Sequence, residues 1–232
     1  MFGRTHADKT GLVKLIEKQM RRWEITRGLR PARPTPLREQ VAHFVAISND
    51  VGAGGDEIAV ILAGRLNWPV FDKQILHTMA DDNAMRERLR QSMNERDLSW
   101  LGDMIRSLIQ QDFRKNDPFH RLAETVLCIA RQGNAIFLGR AVDLILPRTR
   151  GLRVKLVASR RWRVENFARR TGANAGQAAV EIDRIEQERR RFVQEHFRVD
   201  PDDSTRFDLL INVGNFNFEQ VVDLIEAALK MR

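Results

Sequence analysis

The chain has 232 residues, 43% hydrophobic and 30% charged, which suits one α/β domain, or one domain with an appendage, around an ordinary packed core. No stretch approaches the roughly 18–20 apolar residues of a membrane span, the N-terminus lacks the apolar core of a secretory signal, and a single cysteine, Cys128, excludes an internal disulfide or a cysteine-rich zinc site; a reduced, cytoplasmic protein is expected. Of the net charge of +8, residues 1–40 carry +6 from ten Lys/Arg against four Asp/Glu, so any attraction for nucleic acid or anionic lipid belongs to that extension.

In chain order, residues 9–26 read as an amphipathic helix, with Leu12, Ile16, Met20 and Trp23 at helical spacing and Lys14, Lys18, Arg21 and Arg22 on the remaining surface. Three prolines between Pro31 and Pro36 forbid helix and mark a linker. The basic arm at 1–40 can dock through its apolar stripe on its own or a neighbouring domain, giving a homodimer. It can also bind an anionic surface or stay disordered; docking is preferred, because Trp and Met on one face are costly to expose. The body, 41–232, opens with the apolar run Val41–Ile47, suited to a buried parallel strand. A glycine turn follows, then helical periodicity through Ile58, Ile61, Leu62 and Leu66, and a short strand at Val70–Phe71. Residues 73–132 show amphipathic helices and little strand character. Strands return at Ala135–Leu138, Leu152–Val157 and Phe207–Ile211, with helices predicted over about 159–171, 175–197 and 217–230. Alternation of this kind predicts a three-layer α/β fold with a parallel sheet of about five strands covered on both faces.

A strand, a glycine turn and a helix start form an anion site, because turn N–H groups and the helix N-terminus both favour negative charge. Gly52, Gly54 and Gly55 lie where a backbone would curl around phosphate; the same turn in other α/β proteins serves packing alone. Asp72 ends the second strand, where it can meet a ligand or cap the next helix. His43, His77, His120 and His196 show no metal-ligand spacing and read as structural or exposed. Cys128 reads as a buried small residue.

The stretch from Ala46 to Asp72 resembles the start of the cytidylate kinase-like family. Further matches follow in order: Gly133–Asp143, with Gly139-Arg140 and Asp143; Ser159–Arg163; Glu188–Phe192; and Phe207–Asn212. The resemblance covers roughly residues 41–232. It implies a P-loop NTPase-like fold of the nucleoside monophosphate kinase type, with a helical NMP-binding insertion at 73–132 and a mobile lid at 172–206. It further implies transfer of the ATP γ-phosphate, with Mg²⁺, to a nucleotide or another small phosphate acceptor. The phosphate loop would comprise Gly52, Ala53, Gly54, Gly55, Asp56 and Glu57. Arg140, with Asp72 and Asp143, would bind the acceptor, while Arg160, Arg163, Arg189 and Arg191 would surround the transferring group. Guanidinium groups suit that task because they grip phosphate bidentately. The loop departs from the common pattern G-x-x-x-x-G-K-[ST]. Gly55 stands where the lysine would, and Asp50, Asp56 and Glu57 crowd a site for a polyanion. That departure supports a second reading, a pseudokinase that binds nucleotide and a partner without transferring phosphate. A nucleic-acid binder using the basic arm is a third and weaker one.

Overall fold

The computed structural model describes residues 14, 16, 17, 43–108, 117–148 and 150–232. Its centre is a strand, β1 (Phe44–Asn49), whose first four residues are buried. Along it the side chains alternate. Phe44 and Ala46 enter one apolar cluster and Val45 and Ile47 enter another, as the two-residue period of a strand requires. The strand therefore separates two cores, and its continuous apolar run is the signature of a strand covered on both faces.

Four further strands join it: β2 (Val70–Phe71), β3 (Ala135–Leu138), β4 (Leu152–Val157) and β5 (Leu209–Asn212). The order across the sheet is β2-β3-β1-β4-β5, and every neighbouring pair runs parallel. One face is covered by α1 (Gly55–Leu66) and the C-terminal helix, called α9 below (Phe218–Lys230), through Ile58, Leu62, Val221, Val222 and Ile225. The opposite face is covered by the helices between β2 and β3. These are α2 (Lys73–Asp81), α3 (Asn83–Gln91), α4 (Glu95–Leu108) and α5 (Pro118–Gln132), which bury Leu76, Met79, Leu122 and Val126 against Phe44, Phe71 and Phe137. Their starts are written in local sequence: Asp72, Asp82 and Asp117 each accept a backbone N–H as N-caps, which stabilises each by about 1 kcal/mol. Within this group Glu124 is nearly fully buried and is paired with Arg90.

A short α6 (Val142–Ile145) follows β3. A helical hairpin follows β4: α7 (Arg160–Thr171) ends on Gly172 at φ 73°, and the long α8 (Ala175–Phe197) starts with a capping box of Asn174 and Gln177. Among the described residues, Arg153 on β4 is the largest fully buried side chain. It is tolerated because its guanidinium donates to the carbonyls of Asp143, Leu146 and Pro147 at 3.1, 2.7 and 2.8 Å.

Of the N-terminal arm, only positions 14, 16 and 17 are among the described residues. Ile16 is fully buried and joins the insertion-side cluster. Leu12, Met20, Trp23 and the proline linker lie outside the described residues. Among those residues, no helix is long and apolar enough to cross a membrane.

Candidate active site

The carboxyl ends of the parallel strands bring four segments to one edge: the glycine turn after β1, Asp72 after β2, Arg140 after β3 and Ser159 after β4. In open parallel sheets this edge is where ligands bind. Helix α8 lies across it.

Residues Asp50–Ala53 form a turn closed by the Ala53 N–H donating to the Asp50 carbonyl at 3.0 Å. Gly52, third of the four, has φ 89°, the left-handed value that a type II turn demands there. Gly54, also left-handed, precedes α1 as its N-cap and supplies no side-chain cap. What crowds the glycines is protein. A Cβ on Gly52 would lie 2.5 Å from the Arg163 carbonyl oxygen, one on Gly54 would lie 2.5 Å from Cζ of Phe218, and one on Gly55 would lie 2.6 Å from Cγ of Asn49. Val51 to Gly55 are all buried. Gly52 and Gly54 are therefore required by the helices packed over the turn, and Gly55 by the Asn49 side chain at the end of β1.

The three acids that made the turn look hostile to an anion share two cations, and Oε2 of Glu57 is buried without a hydrogen-bond partner. Lys155 Nζ on β4 lies 2.8 Å from Asp50 Oδ1. Arg170 on α7 pairs with Asp56 and stands 3.5 Å from Glu57 Oε2. The face of α7 that does this repeats at helical spacing. Arg163 Nη1 donates to the Val51 carbonyl at 3.2 Å, Asn166 Nδ2 donates to the Gly52 carbonyl at 2.8 Å, and Arg170 completes the stripe. Sequence reasoning singled out Arg163 but missed Asn166, Arg170 and Lys155. The 163–166–170 spacing was the available signal.

The expected site arginines divide into two groups. Arg160 makes a bidentate pair with Asp183 of α8, at 2.6 and 2.7 Å, and Arg163 pairs with Glu186 at 2.6 Å. Both were expected around a transferring phosphate; here both hold α7 against α8. Arg191 is exposed, and among the described residues no contact ties it to the turn. Arg190 pairs with Asp202 at 2.5 Å.

Arg189 and Arg140 are different. Arg189 Nη1 donates to the Asn49 carbonyl at 2.7 Å. Desolvation of its head group lowers its pKa, against the pull of Asp56, Glu186 and Asp50, although the residue as a whole remains exposed. Arg140 contacts Nε2 of His77 and lies over the Phe192 ring of α8, 5.3 Å from its centroid. Its Nε is buried without a hydrogen-bond partner. Desolvation lowers its pKa first, and the neighbouring charge of Arg189 adds to that. Burial first, and then the Arg140 charge, likewise hold His77 below the ordinary histidine range. The backbone here is unusual as well: Gly139, Arg140 and Ala141 have φ of 75°, 59° and 51°, and left-handed geometry costs a non-glycine residue about 1–2 kcal/mol.

The two acids expected at the acceptor site do other work. The Asp72 carboxylate accepts from the Ile75 N–H at 2.8 Å as the N-cap of α2. Asp143 is buried and pairs with Arg206, whose Nη2 and Nε lie 2.5 and 3.1 Å from Oδ2. The carboxylate expected at the acceptor is thus held in an internal ion pair. Among the described residues, no group of three or more His, Cys, Asp or Glu side chains is arranged to hold a metal ion.

Comparison with known proteins agrees with this architecture. The sequence model of the cytidylate kinase-like family matches residues 44–215. An uncharacterized protein from Eubacterium ventriosum of known structure superposes with a TM-score of 0.67 at 17% identity, covering 82% of this chain and 99% of that one. A gluconokinase from Sinorhizobium meliloti aligns over 83% of this chain and 94% of its own, at 16% identity and a TM-score of 0.41. A curated uronate isomerase from Corynebacterium glutamicum is 31% identical over 91 residues, 39% of this chain. The chain spans only 18% of the length of that relative.

Proposed function

The chain belongs to the cytidylate kinase-like family, and from that premise we propose that it is a phosphotransferase moving the ATP γ-phosphate to a nucleoside monophosphate or another small phosphate acceptor. The observation that carries this reading is Arg140. A desolvated guanidinium with a buried, unpartnered Nε, set beside a second guanidinium at the carboxyl edge of a parallel sheet, is costly unless an anion completes it. The left-handed run at Gly139–Ala141 adds to that cost and holds Arg140 in place, as strained backbone at functional sites does.

Phosphoryl transfer asks a protein for positioning and charge neutralisation more than for covalent chemistry. Arg140 and Arg189 are placed to neutralise phosphate oxygens between β3 and α8. The first N–H groups of α1, which no side chain caps, fit a second phosphate segment. Bound ATP supplies the phosphoryl group. Helix α8 lies over the edge, where Arg189 reaches the Asn49 carbonyl and Phe192 packs against Arg140, and closing it over a bound ligand would exclude water. A magnesium site is less well matched by this donor set: Asp50, Asp56 and Glu57 already face Lys155 or Arg170, so the charge balance assigned here rests on guanidinium groups.

A specific observation favours a second reading, a nucleotide-responsive module without turnover. The turn carries no lysine and is packed by Phe218, Asn49 and the Arg163 backbone. Calorimetry with ATP, with and without Mg²⁺, followed by a γ-phosphate transfer assay, separates the two. Both readings expect heat with ATP and saturation at one site, and only the phosphotransferase labels an acceptor; no heat with ATP contradicts both.

A further inference from the structure

We infer that Glu186 is an internal anion that latches helix α8 onto the glycine turn, and that a phosphate-bearing ligand enters by displacing it. This rests on the reading of the turn as an anion site. A single oxygen, Oε1 of Glu186, accepts from the Val51 N–H at 3.3 Å and from Arg163 Nη1 at 2.6 Å. The same Nη1 reaches the Val51 carbonyl at 3.2 Å. One turn further along α8, Arg189 donates to the Asn49 carbonyl; one turn earlier, Asp183 holds Arg160. Asp183, Glu186 and Arg189 thus share one helix face, and that face grips the turn and α7.

The latch is built to let go. The Val51 N–H bond is at the long, weak end of the range for such contacts. Glu186 is also the more exposed partner of its ion pair, at 28% against 11% for Arg163. The carboxylate can therefore move into water with little loss, while the more buried guanidinium stays. A phosphate arriving at the turn would find the Val51 N–H, Arg163 and Arg189 together, and would exchange one ion pair for another. Until it does, the Glu186 carboxylate neutralises the donors it would use. The missing lysine fits this arrangement, since the cation for the turn comes from α7 and α8 and is held in reserve.

The experiment uses the full chain with inorganic tripolyphosphate as the probe, followed by calorimetry, and hydrogen exchange across α8 in the ligand-free protein. Glu186→Gln is expected to bind tripolyphosphate about tenfold more tightly than wild type, a change of about 1.4 kcal/mol, with faster exchange in α8. Glu186→Asp, which keeps the charge but withdraws it by one methylene, should fall between the two. Glu181→Gln removes the same charge elsewhere on α8 and should bind like wild type. If wild type binds and neither Glu186 variant binds more tightly, the latch is overturned and the phosphate site stands. If no variant binds tripolyphosphate at all, the reading of the turn as a phosphate site fails and the latch fails with it.

Discussion

Replacing Gly54 by alanine separates packing from ligand approach as the reason for the glycine turn. Gly54 has φ 75° and ψ 22°, and a Cβ there would lie 2.5 Å from Cζ and 2.8 Å from Cε1 of Phe218. Carbon atoms settle at about 3.5–4.0 Å, so the ring would have to retreat by roughly 1 Å. Left-handed geometry costs an alanine about 1–2 kcal/mol, and forced overpacking adds about 1–3 kcal/mol. The expected loss is therefore about 2–5 kcal/mol, or about 5–20 °C in Tm for a chain of this size. Thermal unfolding of Gly54→Ala, Phe218→Leu and the double variant checks this. A smaller residue at 218 should relieve the clash, so the double variant should lose about 1 kcal/mol less than the sum of the singles. Wild-type stability in Gly54→Ala, or strictly additive losses, would refute the claim that Phe218 dictates this glycine.

Arg206→Ala strands the buried Asp143 carboxylate and should cost about 3–5 kcal/mol in urea unfolding. An unchanged midpoint would return Asp143 to the list of ligand contacts. His77, His120 and His196 are each held below the ordinary histidine range, by burial first. They stay neutral in the fold and charge more readily when unfolded, so they favour the native state at neutral pH and that contribution is lost as the pH falls. The urea midpoint should drop between about pH 7.5 and pH 5.5, and replacing the three with Gln should flatten the drop; a flat wild-type profile contradicts it. Burial pushes the Cys128 thiol up to about 12. Alkylation at pH 8 should run at least about 10³-fold slower in native than in urea-unfolded protein, and stability should fall as the pH climbs from the ordinary thiol range towards that value. Comparable alkylation rates would show the thiol is accessible.

The fold was legible because it is set by short-range patterns. Apolar runs marked β1 and β4, the 3.6-residue period marked the helices, and Asp72 offered a cap for the helix that it is seen to cap. The turn itself was visible in Gly52, Gly54 and Gly55. What crowds Gly52 and Gly54 was not, because Arg163 and Phe218 lie more than a hundred residues away in sequence. The same distance hid the charge balance. Asp50, Asp56 and Glu57 read as uncompensated until the sheet register set Lys155 beside the end of β1 and the α7 stripe brought in Arg170. Arginines were easy to find and hard to assign: Arg160 and Arg163 serve helix packing, Arg190 an ion pair with Asp202, and Arg140 and Arg189 face the strand edge. Which task a guanidinium takes depends on the carboxylate the fold supplies, and no local pattern encodes that partner. The partner of Asp143 was hidden for the same reason, since Arg206 lies 63 residues on.

The proposed phosphotransferase activity depends on Arg140 as a phosphate-binding group. The direct test is transfer of radiolabelled γ-phosphate from ATP, with Mg²⁺ present, to a panel of ribo- and deoxyribonucleoside monophosphates, run on wild type and on Arg140→Ala. Wild type should label at least one acceptor, and Arg140→Ala, folded and equally or more stable without its desolvated charge, should lose about 10²-fold or more in rate. No label on any acceptor from folded wild-type protein, or an Arg140→Ala rate equal to wild type, would contradict it.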